Sequence, residues 1–133
     1  MIPAAIPGDD ESRLITGGPL IHLDALQSLL KSGDFDLDQL WLATEKCEKD
    51  LEKERWTIED VLHMFVGLRG DEDYYKSEWC EVIDGRSVPC DVYRTPFDAE
   101  RKCRHPKGLL VYLKFSVEED GWLTITLVSC HAA

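Results

Sequence analysis

The spacing of apolar residues along the chain changes near Gly70. Before this point, apolar residues recur every three to four positions, which predicts helices at about Ile21–Ser32, at about Asp36–Lys53, and from Thr57 to near Gly67. After it, aromatic and β-branched residues alternate with polar ones, a pattern typical of strands. This order of elements predicts an α+β fold in which N-terminal helices pack on one face of an antiparallel sheet.

The strand region begins with a predicted hairpin. Tyr74–Ser77 and Asp91–Arg94 flank Ile83–Ser87, whose Asp-Gly step favours a tight turn because both residues tolerate positive φ. Two further strands, Leu109–Val117 and Trp122–Ser129, complete an antiparallel meander. The residues expected in the hydrophobic core are Leu26, Leu30, Leu62, Phe65, Val66, Val111, Leu113, Phe115, Ile125 and Leu127.

Residues 1–19 contain prolines, paired glycines and an acidic run at Asp9–Glu11, without apolar periodicity, so we expect a flexible tail there. The chain has 133 residues and 44% hydrophobic content, which suffices for a single domain over residues 20–133. Its start lacks the basic and apolar segments of a signal peptide, and no later segment has the apolar length of a membrane span. We therefore expect a soluble, cytoplasmic protein with no membrane partner.

The formal net charge of −11 opposes a nucleic-acid partner, because phosphate binding depends on cationic side chains. This charge is unevenly distributed: residues 1–60 carry six Lys and Arg against fourteen acidic residues, whereas residues 86–114 carry seven against three. The strand half is thus locally basic. Its candidate contacts to a nucleic-acid backbone are Arg86, Arg101, Lys102, Arg104, Lys107 and Lys114.

Five cysteines, an odd number without a CxxC pair, indicate reduced thiols rather than a disulfide framework. Cys103 and His105 form a C-x-H step that would need Cys80 or Cys90 to complete a zinc site. Buried thiols are the favoured interpretation, because a tetrahedral site usually draws on two recognisable ligand pairs. We therefore predict no metal and no cofactor.

Polar residues on neighbouring predicted strands form a candidate phosphate site. Pairing of the hairpin arms places Lys76 beside Arg94, so two positive charges can face one anionic group. In the third strand, Tyr112 and Lys114 share one face because side chains alternate along a strand.

Five short blocks follow one another between residues 67 and 129: Gly67-Leu68, Asp73-Tyr74-Tyr75-Lys76-Ser77, Asp91-Val92-Tyr93-Arg94, Val111-Tyr112-Leu113-Lys114 and Leu127-Val128-Ser129. In sequence and order these blocks resemble the MqsR family of bacterial toxins, which belongs to the broader RelE-like ribonuclease group. The resemblance extends over most of residues 21–131. Several blocks in the correct order are more specific than any one of them alone.

The resemblance implies a RelE-like fold and a metal-independent endoribonuclease that cleaves mRNA and is neutralised by a cognate antitoxin protein. Attack by the RNA's own 2′-hydroxyl needs a proton acceptor, cations for the phosphorane and an acid for the departing 5′-oxygen. Lys76 and Tyr112 match positions of functional residues in the family, and Arg94 lies in its Tyr-Arg step. The candidate catalytic residues are Lys76, Arg94, Tyr112 and His131.

Two positions depart from the family pattern. Cys90 stands where the family has a glutamine, which removes an amide donor. His131 stands where the family has a C-terminal lysine, and an imidazole suits acid catalysis near neutral pH. By strict alternation His131 lies on the face of Leu127, so it reaches the Tyr112 face only if the last strand ends or bulges near Ser129.

Two functions from different classes follow from these observations. The candidate cations and Tyr112 favour the ribonuclease. The net charge and Cys90 favour the alternative, a catalytically weak or inactive relative whose acidic helical half binds a basic protein as an inhibitor or nucleic-acid mimic.

Overall fold

The computed structural model describes residues 13–119 and 123–133. Within them, seven strands, four α-helices and one 3-10 helix confirm the predicted α+β fold. The α-helices are α1 (Leu23–Ser32), α2 (Glu45–Glu54), α3 (Ile58–Gly67) and α4 (Gly70–Asp73). The strands are β1 (Leu14–Ile15), β2 (Leu40–Leu42), β3 (Tyr74–Glu81), β4 (Ser87–Asp98), β5 (Cys103–Arg104), β6 (Leu109–Glu119) and β7 (Leu123–Ala132).

One sheet contains all the described strands, in the order β1-β3-β4-β6-β7-β2, with β5 paired to β4. The predicted hairpin is β3–β4, and β6 and β7 extend it into the predicted antiparallel meander. The pairing of β2 with β7 is parallel. No helix among the described residues is long and apolar enough to cross a membrane.

The helix predicted over about Asp36–Lys53 is wrong in its first half. Leu37–Gln39 form a 3-10 turn that Asp36 caps, and Leu40–Leu42 form β2. The α-helix begins only at Glu45, where the Thr44 hydroxyl accepts the Cys47 N–H at 3.0 Å. Pairing with β7, more than 80 residues later, satisfies the β2 backbone and overrides the local helical spacing.

The tail predicted over residues 1–19 is partly ordered into the domain. Residues 1–12 lie outside the described residues, but Leu14 and Ile15 pair with β3 as an edge strand. The buried Asp91 carboxylate accepts the backbone N–H groups of Leu20 at 3.0 Å and Ile21 at 2.9 Å. The chain before α1 is therefore attached to the middle of the sheet.

The main core lies between one face of the sheet and helices α1, α2 and α3. Of the residues predicted for it, seven are buried: Leu26, Phe65, Val111, Leu113, Phe115, Ile125 and Leu127. Leu30, Leu62 and Val66 are only partly buried, because they line a groove between α1 and α3 rather than facing the sheet. A smaller apolar cluster, which includes Cys80, Cys90 and Val128, contains side chains of the opposite face, called the outer face below.

Two β-bulges decide which side chains reach the outer face. In β3 the register with β4 shifts between Tyr74 and Lys76. In β7, Leu127 pairs with Phe115 while Ser129 pairs with the adjacent Lys114, so Val128 is an extra residue. An extra residue reverses the alternation of side chains beyond it.

Candidate functional site

Three of the predicted catalytic residues form one row across the central strands on the outer face. Arg94 of β4 pairs with Tyr112 of β6, which pairs with His131 of β7. The Tyr112 and His131 rings stack, with centroids 4.9 Å apart and an interplanar angle of 12°. This stacking depends on the bulge at Val128, which gives the last strand the irregularity required by the alternation argument.

Two lysines lie in the neighbouring row. Lys76 and Lys114 pair with Val92 from opposite sides, and Val92 precedes Arg94 by two residues on β4. The Lys114 ammonium lies 5.7 Å from the centre of the Tyr112 ring. All four predicted catalytic residues and Lys114 thus occupy one patch, called the cationic patch below, in which adjacent strands are about 4.8 Å apart.

The cationic patch also contains Tyr75, which the sequence interpretation did not assign to the site. Tyr75 is 48% exposed, and the Arg94 guanidinium lies 4.0 Å from the centre of its ring. Lys76 Nζ is 5.4 Å from the same centre. Strand alternation gave no sign of this arrangement, because the bulge between Tyr74 and Lys76 cannot be read from apolar spacing.

Glu78 is the second residue that the sequence interpretation missed. Its Oε1 atom lies 3.2 Å from Lys76 Nζ and 3.4 Å from Lys114 Nζ, and its side chain is only 16% exposed. One signal was present, since Lys76 and Glu78 are two residues apart on a strand and therefore share a face. A half-buried carboxylate thus lies between two ammonium groups and forms an ion pair with each.

The charges of the two lysines follow from this contact. The interaction with the Glu78 carboxylate is the main cause that raises the Lys76 pKa, and burial opposes it. Burial lowers the pKa of Lys114, but the interactions with Cys80, Tyr112 and Glu78 together raise it by more, so the net shift is upward. Both lysines are therefore protonated at neutral pH, which suits charge stabilisation and excludes them as proton acceptors.

The hydrogen bond of His131 indicates which of its ring nitrogens carries a proton. Nδ1 lies 2.9 Å from the carbonyl oxygen of Ala132. Because a carbonyl oxygen only accepts, Nδ1 carries the proton in this bond, and Nε2 is the atom left for proton exchange with a substrate.

Cys90 is fully buried and pairs with Glu78 across β3 and β4. Its Sγ lies 3.7 Å from the carbonyl oxygen of Val88, and its side chain packs in the smaller apolar cluster. The interaction with the Cys80 thiol is the largest cause that raises the Cys90 pKa, and burial is the second. Cys90 therefore lies beside Glu78 on the outer face as a neutral, apolar residue.

The structure does not bring the basic loop to the cationic patch. Lys102 pairs with Asp60, which forms the capping box of α3 together with Thr57. Arg104 pairs with the buried Asp73, with Glu72 at 3.1 Å and with the Thr95 hydroxyl at 3.3 Å. These two cations therefore attach β5 and its loop to the helices.

The other basic candidates occupy exposed positions. Arg101 Nε lies 3.8 Å from an Asp98 carboxylate oxygen, and Lys107 is exposed in the loop before β6. Arg86 pairs with Asp84 at 2.8 Å and with Glu118 at 3.1 Å. Of the six basic residues predicted to contact a nucleic-acid backbone, only Lys114 belongs to the cationic patch.

Cys103 lies far from Cys80 and Cys90, the two cysteines weighed as its partners in a zinc site. Cys103 pairs with Asp98, eight residues along β4 from Cys90, which corresponds to about 26 Å at the usual rise of a strand. Among residues 13–119 and 123–133, no group of three or more His, Cys, Asp or Glu side chains is arranged to hold a metal ion.

Comparison of the chain with protein-family models finds no match. Comparisons with curated proteins and with solved structures likewise find no significant match. A functional assignment therefore depends on the side chains of the cationic patch and on the motif resemblance described above.

Proposed function

We propose that this protein is a metal-independent endoribonuclease that cleaves mRNA in the cytoplasm by attack of a 2′-hydroxyl on the adjacent phosphate. A cognate antitoxin would neutralise it. The observation that carries the proposal is the row Arg94, Tyr112 and His131, with Lys76 and Lys114 beside it on the same face. The motif resemblance supports the same chemistry.

The three cations account for the electrostatic part of catalysis. A phosphodiester gains negative charge as it becomes a phosphorane, and fixed cations stabilise this charge without reorganising. Lys76 and Lys114 remain protonated, and Arg94 has a delocalised charge that is held against Tyr75. The patch can therefore hold a phosphate while its charge increases.

Tyr112 and His131 account for proton transfer and orientation. In the proposed mechanism Nε2 of protonated His131 donates to the departing 5′-oxygen, and the stacked Tyr112 ring fixes the imidazole and offers its hydroxyl to the phosphate. The 2′-hydroxyl proton goes to water or to a phosphate oxygen, since the neighbouring lysines are already protonated. The products carry a 2′,3′-cyclic phosphate and a free 5′-hydroxyl.

The test uses purified protein, mRNA with and without ribosomes, and analysis of the fragment ends. Lys76→Ala or Arg94→Ala should each lower the rate about a hundredfold or more, as loss of an electrostatic donor does. His131→Ala should lower it about 10²–10⁴-fold and should flatten the fall in rate toward alkaline pH, because a general acid must be protonated. Tyr112→Phe tests the hydroxyl alone.

Lys49→Ala is the matched control, because it removes one positive charge from an exposed position on α2, on the side of the sheet opposite to the cationic patch. Its rate should stay within a few-fold of wild type. Absence of cleavage by wild-type protein would overturn the ribonuclease proposal. Cleavage that survives both Lys76→Ala and Tyr112→Phe would show that the site lies elsewhere.

The acidic helical half favours a second function, binding of a basic protein. Glu45, Glu48 and Glu52 are exposed on α2, which lies on the side of the sheet opposite to the cationic patch. If wild type does not cleave RNA, this surface becomes the leading candidate. Salt-dependent binding to a basic partner that is lost when these three glutamates become glutamines would then support it.

A further inference from the structure

Glu78 has an environment unlike that of the other acidic residues near the outer face. Asp84 and Glu118 are more exposed, and both pair with Arg86 near the hairpin turn. Glu78 is mostly buried, and its Oε1 atom has two ammonium groups within 3.4 Å. This same oxygen is shielded from solvent and lacks a well-aligned hydrogen bond, so the two ion pairs supply its compensation.

We infer that Glu78 is a positioning residue, which holds Lys76 and Lys114 in the arrangement that receives the RNA phosphate. The inference rests on the proposed ribonuclease function and deepens it. Lys76 comes from β3 and Lys114 from β6, with β4 between them. A carboxylate that contacts both ammonium groups spans this gap and restricts two otherwise flexible side chains.

The charge of Glu78 also fits the chemistry. Lys76, Arg94 and Lys114 carry three positive charges, and Glu78 reduces the net charge of these groups to two. A phosphodiester has one negative charge before reaction and approaches two in the phosphorane. Neutralising one cation therefore weakens binding of the ground state while the remaining charge still complements the transition state.

The first test compares Glu78→Gln with wild type in steady-state cleavage of a short RNA. We expect kcat to fall about tenfold to a hundredfold, because displacement of catalytic groups by about 1 Å has effects of this size. KM should decrease, because the patch gains one net positive charge. A general loss of folded protein would not lower kcat and KM together.

The second test measures the Lys76 and Lys114 ammonium groups by NMR, without RNA. The Lys76 pKa is raised mainly by Glu78, so it should fall toward its ordinary value in Glu78→Gln. Glu81→Gln is the matched control, because it removes the same charge from an exposed position on the same strand. This control should leave both the lysine titration and kcat close to wild type.

The outcomes separate the inference from the function on which it rests. If wild type cleaves RNA but Glu78→Gln behaves like Glu81→Gln, the positioning role is wrong and the ribonuclease proposal stands. If Glu78→Gln lowers KM without lowering kcat, Glu78 acts only as a charge, and the positioning role is again wrong. A loss above about 10⁴-fold, together with a lost acid limb of the pH profile, would make Glu78 the proton acceptor instead. Absence of cleavage by wild type would overturn both proposals, whatever the lysine titration shows.

Discussion

The buried Asp91 carboxylate offers a direct test of how the chain before α1 is held in the domain. Asp91 is fully buried in β4. It accepts the N–H groups of Leu20 and Ile21 and the Ser77 hydroxyl, the last at 2.6 Å. Tyr74 extends the network through its hydroxyl, 2.7 Å from Ser77 Oγ. Replacing Asp91 by alanine removes the carboxylate that accepts from the two backbone amides and from the Ser77 hydroxyl.

The expected cost follows from these contacts. A hydrogen bond to a charged group contributes about 1.5–3 kcal/mol, and three donors meet this carboxylate. The Leu20 and Ile21 amides are only partly buried and regain some hydration, so the total is less than the sum. We expect Asp91→Ala to lower the free energy of unfolding by about 3–5 kcal/mol, a large part of the stability of a typical domain.

The assay is urea denaturation together with hydrogen exchange of backbone amides. Asp91→Asn keeps one carbonyl acceptor and should lose about 1–2 kcal/mol, which places it between wild type and Asp91→Ala. Asp71→Asn, at an exposed position, is the control and should change stability by less than about 0.5 kcal/mol. If Asp91→Ala costs under about 1 kcal/mol and Leu20 and Ile21 keep their protection, the carboxylate does not hold this segment.

Two further predictions concern the core and the α3 cap. Phe115 is fully buried, and its ring packs edge-on against that of Phe65 with the centroids 4.6 Å apart. Phe115→Ala should therefore lower the free energy of unfolding by about 3–5 kcal/mol in a denaturant titration. A decrease below about 1.5 kcal/mol would contradict this packing. Burial opposes the charged form of Asp60, but Lys102 and Thr57 lower its pKa overall. The Asp60 carboxylate therefore stabilises the fold fully above the ordinary carboxyl range, and this stabilisation is lost as the pH falls through the lowered pKa. Asp60→Asn should make the free energy of unfolding less sensitive to acid. An acid-unfolding curve of the same shape as that of wild type would refute this role of Asp60.

The elements predicted best from the sequence are those whose signals lie close together along the chain. The hairpin β3–β4 and the helix from Thr57 have their turn and capping residues next to their apolar patterns, so neighbouring positions suffice to specify them. Strands β1 and β2 contain two and three residues, too few to show a period. Their conformation comes from pairing with strands far along the chain.

The basic loop shows why composition alone misplaces a site. Its cations follow one another closely in sequence, but Lys102 and Arg104 turn toward the acidic residues of α3 and α4. Those acidic residues lie some 30 to 40 positions earlier, so a local count of charge does not include them. Basic residues form a binding surface only if no structural carboxylate takes their charge, and this is decided by the tertiary fold.

The cationic patch arises from two deviations from regular strand alternation. Without the bulge at Val128, His131 would lie on the same face as Leu127, among the apolar residues that contact the helices. The shift between Tyr74 and Lys76 likewise lets Tyr74 pack toward the core while Lys76 reaches Glu78 on the outer face. Each bulge lies in an outer strand of the four-strand meander, and each directs a polar side chain toward the central β4 and β6. A deletion of Val128 should therefore move His131 away from Tyr112 and abolish their stacking, which the NMR chemical shifts of the two rings would report directly.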